Sequence, residues 1–184
     1  METRISGGTR RGRKLRARAG IGLRPTSEKV RSAIFSLIGP ESVNQARVLD
    51  LYAGTGALGI EALSRGADSA EFVESDSNRC QYIRQAVGDL GFADRSRITR
   101  GRVERVLRTI KARFDLVLAD PPYRIDPWDM VMTNLLEREA LEERAVVVAE
   151  HARTYEMADA YGELIIWKRR RYGDTAVSIF RYGG

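Results

Sequence analysis

Several kinds of residue are scarce in this 184-residue chain, and each scarcity excludes a class of protein. The single cysteine, Cys80, excludes an internal disulfide, and together with the single histidine, His151, it excludes a zinc cluster of Cys and His ligands. No apolar run approaches the roughly 20 residues that a membrane-spanning helix needs. The first 14 residues carry charges with no apolar segment behind them, so they do not predict a secretory signal. We expect one cytoplasmic domain with a small appendage, without a membrane or a metal.

Positive charge is concentrated at the beginning of the chain. The net charge is +6, yet residues 1–31 alone contain ten Lys or Arg against two acidic residues, so the remainder is slightly negative. A basic arm on a near-neutral body predicts a polyanionic partner. We therefore divide the chain into a basic arm and helix at 1–39, expected to contact RNA, and a main domain at 40–184.

Hydrophobic periodicity predicts an alternation of strands and helices from residue 47 onwards. The predicted strands are 48–52, 70–73, 97–99, 116–119 and 145–150, and the runs 163–168 and 175–182 predict a hairpin. Thr26 or Ser27 is the expected cap of a helix in the arm, and Ser77 that of a later helix. The order predicts an α/β fold with a doubly wound, mostly parallel sheet and an antiparallel C-terminal hairpin.

A glycine-rich sequence, G-x-G-x-x-G at residues 54–59, follows the first predicted strand. It predicts a cofactor loop, and Glu74, 20 residues after Gly54, is placed to bind ribose hydroxyls. A dinucleotide-binding fold has the same spacing. Asp50 favours S-adenosylmethionine, because a carboxylate beside the loop would repel a pyrophosphate but attract an ammonium group.

The sequence Asp120-Pro121-Pro122-Tyr123 follows a later predicted strand, whose end should face the same crevice as the glycine loop. The Asp120 carboxylate and the Pro121 carbonyl can each accept a hydrogen bond from an exocyclic amine. Tyr123 offers a flat face for a base, worth about 1–3 kcal/mol. An aromatic amine is a poor nucleophile, so the reaction needs orientation and charge stabilisation. The two motifs together predict methyl transfer to a nucleobase amine, with Asp120, Pro121 and Tyr123 as catalytic residues.

Several segments resemble the RsmD family of class I S-adenosylmethionine-dependent methyltransferases, which have a Rossmann-like, seven-strand sheet. They are residues 4–8, 11–15, 22–26, 30–31, 49–65 and 119–123. The resemblance implies methylation of a guanine N2 amine in bacterial small-subunit (16S) ribosomal RNA, in an assembled or partly assembled subunit. It implies a cofactor site composed of Asp50, Ala53, Gly54 and Gly56 at the methionine end, Glu74 at the ribose, and Arg102 and Val103 near the adenine. The wider class often has Asp or Asn where Arg102 stands.

Basic and polar residues of the arm and of the second motif are the candidate RNA contacts. They are Arg11, Arg13, Lys14, Arg24, Thr26, Arg31 and Arg124. We expect the protein to act as a monomer on ribosomal RNA or the small subunit.

Three alternative functions stay open. One is a DNA adenine-N6 or cytosine-N4 methyltransferase, although the chain shows no obvious separate DNA-recognition domain. Another is a non-catalytic RNA-binding assembly factor, against which Asp50, Glu74 and Asp120 argue. The third is a nicotinamide-dependent dehydrogenase. The segment 120–123 does not distinguish guanine from adenine, because both bases carry an exocyclic amine.

Overall fold

A computed structural model of the protein describes residues 2–16 and 27–183. The main sheet of this part consists of β3 (Arg47–Leu51), β4 (Ser69–Glu74), β5 (Ser96–Arg100), β6 (Phe114–Ala119), β7 (Leu141–Ala152), β8 (Ala160–Tyr161), β9 (Leu164–Tyr172) and β10 (Thr175–Tyr182). The α-helices are α1 (Glu28–Ile38), α2 (Ala57–Ser64), α3 (Ser77–Asp89), α4 (Val103–Leu107) and α5 (Trp128–Glu137). Two short strands, β1 (Glu2–Arg4) and β2 (Lys14–Arg16), pair separately.

The order of strands in the main sheet is β5-β4-β3-β6-β7-β10-β9-β8. The five strands from β5 to β7 are parallel, and β10 lies antiparallel between β7 and β9. This arrangement confirms the doubly wound sheet with its antiparallel hairpin. The sheet has one strand more than the seven predicted, since β8 pairs with β9. The sequence did not indicate β8 because two residues are too few to show a periodic pattern.

Helices cover both faces of the sheet. On one face α1, α2 and α3 pack on a row that includes Val48, Leu118 and Val148. On the other face α4 and α5 pack on a row that includes Val117 and Val147. Alternate residues of each parallel strand therefore enter opposite cores, as expected for strands buried on both faces. No helix in the described ranges is both long and apolar enough to cross a bilayer.

The predicted helix caps are half right. The Ser27 side chain accepts a hydrogen bond from the Val30 N–H at 3.2 Å and caps α1, whereas Thr26 lies outside the described residues. The prediction of Ser77 as a cap is wrong: Asp76 caps α3, with its Oδ1 accepting from the Arg79 N–H at 2.9 Å. The carboxylate stands one residue earlier, and Ser77 is already the first helical residue.

A buried carboxylate, Glu61 on α2, fastens the N-terminal segment to the main domain. Ser6 donates to it from both its backbone N–H (2.9 Å) and its hydroxyl (2.8 Å). Arg31 of α1 donates through Nε at 3.1 Å, and Arg65 does so at 2.8 Å. Glu61 has no exposed surface, so its charge depends on these donors.

Arg31 corrects an expectation. Its side chain is 0% exposed, pairs with Glu61 and donates to the Arg4 carbonyl, so it does not offer a surface contact to RNA. Arg31 lies at helical spacing with Ile34, Phe35 and Ile38, which are all buried, and this places it on the inner face of α1.

Replacing Glu61 with Ala should lower the free energy of unfolding by about 3–5 kcal/mol, because Arg31 would be left buried without its counter-ion. Urea denaturation measures the change. Glu143→Ala, at an exposed position of β7, is the matched control and should stay within about 0.5 kcal/mol of the parent protein. Equal effects of the two substitutions would contradict the role given to Glu61.

Candidate active site

The two predicted motifs leave the sheet at the same edge. Strands β3 and β6 pair in parallel with Leu51 opposite Ala119, and the Asp120 N–H lies 3.5 Å from the Leu51 carbonyl. The glycine loop follows β3, and Asp120–Tyr123 follows β6. The expected meeting of the two segments at the carboxyl ends of neighbouring strands is therefore present.

The glycine loop is shaped by tight packing against the sheet. Gly56 has a φ of 74°, and its N–H donates to the Ala53 carbonyl at 2.6 Å. Gly59, in the first turn of α2, faces the ring of Phe72, and a Cβ there would lie 2.4 Å from that ring. A side chain at residue 59 would push α2 off β4, so the helix start and the loop depend on this glycine.

Glu74 ends β4 and joins the loop to the next strand. Its Oε2 accepts from the Gly54 N–H at 2.9 Å, and its Oε1 accepts from the Asp76 N–H at 2.8 Å. A carboxylate has about four acceptor positions, so Glu74 is held in place and keeps capacity for a ribose hydroxyl on Oε2.

Asp50 lies beneath the loop and is 1% exposed. Its Oδ2 accepts from the Gly59 N–H at 2.9 Å. Burial raises the pKa of Asp50 well above its usual value; the Gly59 hydrogen bond opposes the shift, and the charges of Asp120 and Glu74 add to it. The surrounding protein therefore stabilises the ionised form of Asp50 poorly, and a cationic group placed beside Asp50 would favour that form.

An open groove lies beside the end of β5 and has a volume of about 430 Å³. It is lined by Arg100, Gly101, Arg102, Arg105, Val106 and Thr109. Arg102 is exposed at the start of α4, whereas the Val103 side chain is buried in the core below α4 and α5. Of the two residues expected near the adenine, only Arg102 therefore presents its side chain to the groove.

The Asp120–Tyr123 segment combines a buried proline with an exposed ring. Pro121 is buried, and Tyr123 is 44% exposed. The Tyr123 hydroxyl lies 2.6 Å from the Thr175 hydroxyl, at the start of β10. This contact holds the tip of the ring, while part of its surface stays accessible for stacking. Arg124 follows and is exposed.

Glu150 is a site residue that the sequence analysis missed. Strands β6 and β7 pair with Ala119 opposite Ala149, so Glu150 is the neighbour of Asp120 across the sheet. Its side chain is buried, and its Oε1 lies 3.5 Å from the Tyr123 hydroxyl. An acid at the end of a run of five apolar residues, 145–149, was the signal that could have found it.

The chemistry of this edge is acidic at its centre and basic at its rim. Asp50, Glu74, Asp120 and Glu150 stand at the carboxyl ends of four neighbouring parallel strands. Exposed arginines surround them: Arg100, Arg102, Arg105, Arg124, Arg153, Arg170 and Arg171. The tip of the β9–β10 hairpin belongs to this rim, because the Arg153 N–H donates to the Asp174 carbonyl at 2.8 Å. Such an edge favours a cationic ligand at the centre and phosphates around it.

The described part of the arm lies away from this edge. Arg11 and Arg13 are exposed beside the end of α3, in a groove of about 510 Å³ that Gly88–Gly91 also line. Since α3 begins at the catalytic edge and has 13 residues, this groove is about 20 Å from it. Lys14 is exposed on β2, and Arg24 lies outside the described residues, as does Thr26.

His151 follows Glu150, but both nitrogens of its ring contact other groups of the protein. Its Nε2 lies 2.9 Å from the Ser178 hydroxyl and its Nδ1 3.0 Å from the Ala152 carbonyl. Burial lowers the pKa of His151. Among residues 2–16 and 27–183, no group of three or more His, Cys, Asp or Glu side chains is arranged to hold a metal ion.

The sheet order and the loop at its centre define a class I methyltransferase fold, and comparisons with solved structures agree. The structure of yhhF from Escherichia coli has a TM-score of 0.88 at 27% identity, covering 99% of this chain and 98% of that one. A Streptococcus pyogenes protein gives a TM-score of 0.79 at 35% identity, covering 83% of this chain and 95% of its own.

The family model described as Conserved hypothetical protein 95 matches residues 3–181. YlbH of Bacillus subtilis is 37% identical over 184 residues, which cover 98% of this chain and all of that one. Ribosomal RNA small subunit methyltransferase D of Escherichia coli (strain K12) is 34% identical over 149 residues, covering 81% of this chain and 74% of its own. The chain belongs to this family, which confirms the resemblance to the RsmD-type ribosomal RNA methyltransferases.

Replacing Asp50 with Asn should stabilise the ligand-free protein at pH 7. Because the folded state raises the pKa of Asp50, ionisation of this group lowers the free energy of unfolding. The loss begins as pH rises through the unfolded-state pKa of about 3.9 and is complete above the folded-state pKa. Asn can still accept from the Gly59 N–H but carries no charge. The advantage of the variant should therefore grow as pH rises from 4 towards 8.

Thermal unfolding across this pH range measures the effect, and Asp94→Asn at an exposed position is the control. A variant less stable than the parent protein at pH 7 would show that the Asp50 charge is already compensated.

Proposed function

We propose that this protein transfers a methyl group from S-adenosylmethionine to the exocyclic N2 amine of a guanine in bacterial small-subunit (16S) ribosomal RNA. The observation that carries the proposal is the pairing of β3 with β6, which brings the glycine loop and Asp120–Tyr123 to one edge. We infer that the substrate is an assembled or partly assembled small subunit, on which the enzyme acts as a monomer in the cytoplasm. The two-part division at residue 39 belongs to the same proposal.

The residues of the edge fit the proposed cofactor. Asp50 and the loop residues Ala53, Gly54 and Gly56 would hold the methionine end, because a buried negative charge attracts its ammonium group. Glu74 would hold the ribose, and Arg102 with the backbone of Val103 would border the adenine. A pyrophosphate would meet four carboxylates here, which disfavours the dinucleotide alternative. When bound, S-adenosylmethionine supplies a methyl group on a sulfonium, which is already a strong electrophile.

The chain must then orient a weakly nucleophilic amine. Asp120 and the Pro121 carbonyl would each accept one N–H of the base, which directs the nitrogen lone pair towards the loop. Asp120 would stabilise the positive charge that grows on this nitrogen and then take its proton. Tyr123 would stack on the base, which is consistent with its exposed ring and fixed hydroxyl.

The distribution of charge supports an RNA substrate. The target base must be unpaired or flipped out of a helix to reach Asp120. Arg124 and the other rim arginines would bind phosphates next to that base. Arg11, Arg13 and Lys14 would bind phosphates farther away, and Arg24 and Thr26 remain candidate contacts from the sequence. The name of the relative from strain K12 supports the small subunit as the source of the RNA.

Replacing Asp120 with Ala should reduce the rate of methyl transfer by about 10²–10³-fold, because the amine loses an acceptor and its charge stabilisation. Binding of S-adenosylmethionine should change little, since the Gly54–Glu74 contacts remain. Transfer of labelled methyl groups to small-subunit RNA measures the first quantity and calorimetry the second. Asp94→Asn serves again as the surface control. Full turnover by the Ala variant would refute the role given to Asp120.

Deleting the whole arm would remove Ser6 from Glu61 and two core residues, Ile5 and Leu15, so point substitutions give a cleaner test of RNA binding. Replacing Arg11 and Arg13 with Ala together should weaken binding of a small-subunit RNA transcript. The slope of log affinity against log salt should become shallower by about 0.7 for each single-strand phosphate that the variant no longer neutralises.

The matched control replaces Arg108 and Arg138, which are exposed and belong to the α4–α5 face. It removes the same charge. If both pairs change the salt dependence equally, the groove has no special part in binding RNA.

A further inference from the structure

The segment 120–123 accounts for an exocyclic amine but not for the choice of base, and Glu150 stands where that choice could be made. Glu150 lies on the same face of β7 as Val146 and Val148, and Asp120 lies on the same face of β6 as Leu116 and Leu118. These four apolar residues belong to one core, so the two acids share a face of the sheet. Since paired strands lie about 4.8 Å apart, two carboxylates stand side by side at the edge. Glu150 is only 4% exposed, and its Oε1 lies 3.5 Å from the Tyr123 hydroxyl. It is therefore beside the ring on which the base is proposed to stack.

The hydrogen-bonding edges of the bases give this position its meaning. Guanine presents two adjacent donors, the N2 amine and N1–H, whereas adenine and cytosine present an acceptor next to their amine. A second carboxylate beside Asp120 matches the guanine pattern and would face a lone pair on the other two bases. In a site closed to water such a mismatch is costly, because a buried acceptor is left without a donor.

We propose that Glu150 selects guanine by accepting a hydrogen bond from its N1–H, while Asp120 and the Pro121 carbonyl accept from the N2 amine. The assignment rests on the proposed function and adds the residue that determines specificity. Glu150 does not take up a proton in this scheme. It accepts a hydrogen bond from the N1–H, and the proton stays on the base. The base must compete for Glu150 with the Tyr123 hydroxyl, whose second contact, with Thr175 at 2.6 Å, keeps the ring in place.

The test compares guanine with 2-aminopurine, which has the same amine on C2 but an acceptor at N1. The methylated position is mapped with the parent enzyme, and either base is then placed there in a synthetic RNA, or in a reconstituted subunit if naked RNA is not methylated. The parent enzyme should prefer guanine by at least 100-fold in kcat/KM. Glu150→Gln should narrow this preference at least tenfold, because the amide NH₂ can donate to N1 of 2-aminopurine.

Tyr123→Phe is the comparison that separates direct from indirect action. It removes the hydroxyl next to Glu150 but keeps the ring, so turnover should fall while the preference for guanine stays. Equal narrowing by Tyr123→Phe and Glu150→Gln would mean that Glu150 only positions Tyr123, and it would overturn the proposal.

The preference of the parent enzyme is an independent readout that requires no variant to fold. Methylation of 2-aminopurine as efficiently as guanine would overturn the role of Glu150 and leave the proposed function standing. An unchanged preference in a Glu150→Gln variant that still binds S-adenosylmethionine would do the same. Failure of the parent enzyme to methylate any guanine N2 would overturn the proposed function and this inference together.

Discussion

The burial of one carboxylate, Asp50, close to two others, Asp120 and Glu74, is the constraint on which the site of this protein depends. Asp50, Glu74, Asp120 and Glu150 end four neighbouring parallel strands, and the pKa of Asp50 is raised by burial and further by two of these neighbours. Backbone N–H groups of the glycine loop and of α2 bind two of the acids, and the apolar sheet beneath fixes the positions of all four strands. A cationic ligand beside Asp50 would offset the repulsion from Asp120 and Glu74. The fold is therefore less stable without the ligand, in return for a site that binds positive charge.

The sequence predicted the parts of the site that depend on local order along the chain. The alternation of strands and helices indicated the sheet, and parallel strands place the loop and residues 120–123 at one edge. Contacts between distant residues were not predictable in this way. Arg31 was interpreted by its charge, although its spacing with Ile34 and Phe35 favoured burial. The roles of Glu61 and Glu150 depend on contacts with Ser6 and Tyr123, which are 55 and 27 residues away along the chain.

Two regions suited to RNA stand at opposite ends of the helices that cover one face. The rim of arginines surrounds the catalytic edge, and the groove with Arg11 and Arg13 lies at the far end of α3. Glu61 joins the arm to α2, whose first turn carries Gly59 of the loop. A substrate that covers both regions must extend over about 20 Å, the length of the 13-residue helix α3. This distance favours a folded RNA or a subunit surface over a single nucleotide.

The insertion of β10 between β7 and β9 has a consequence for how the enzyme is made. A chain growing from its amino end can complete β3, β4 and the glycine loop early, since these strands pair with one another. The contacts of Tyr123 with Glu150 and Thr175 are complete only when β10 pairs between β7 and β9. Synthesis on the ribosome therefore releases β3, β4 and the glycine loop well before it releases Thr175, so the contact that holds the Tyr123 ring is among the last that a newly made chain can form.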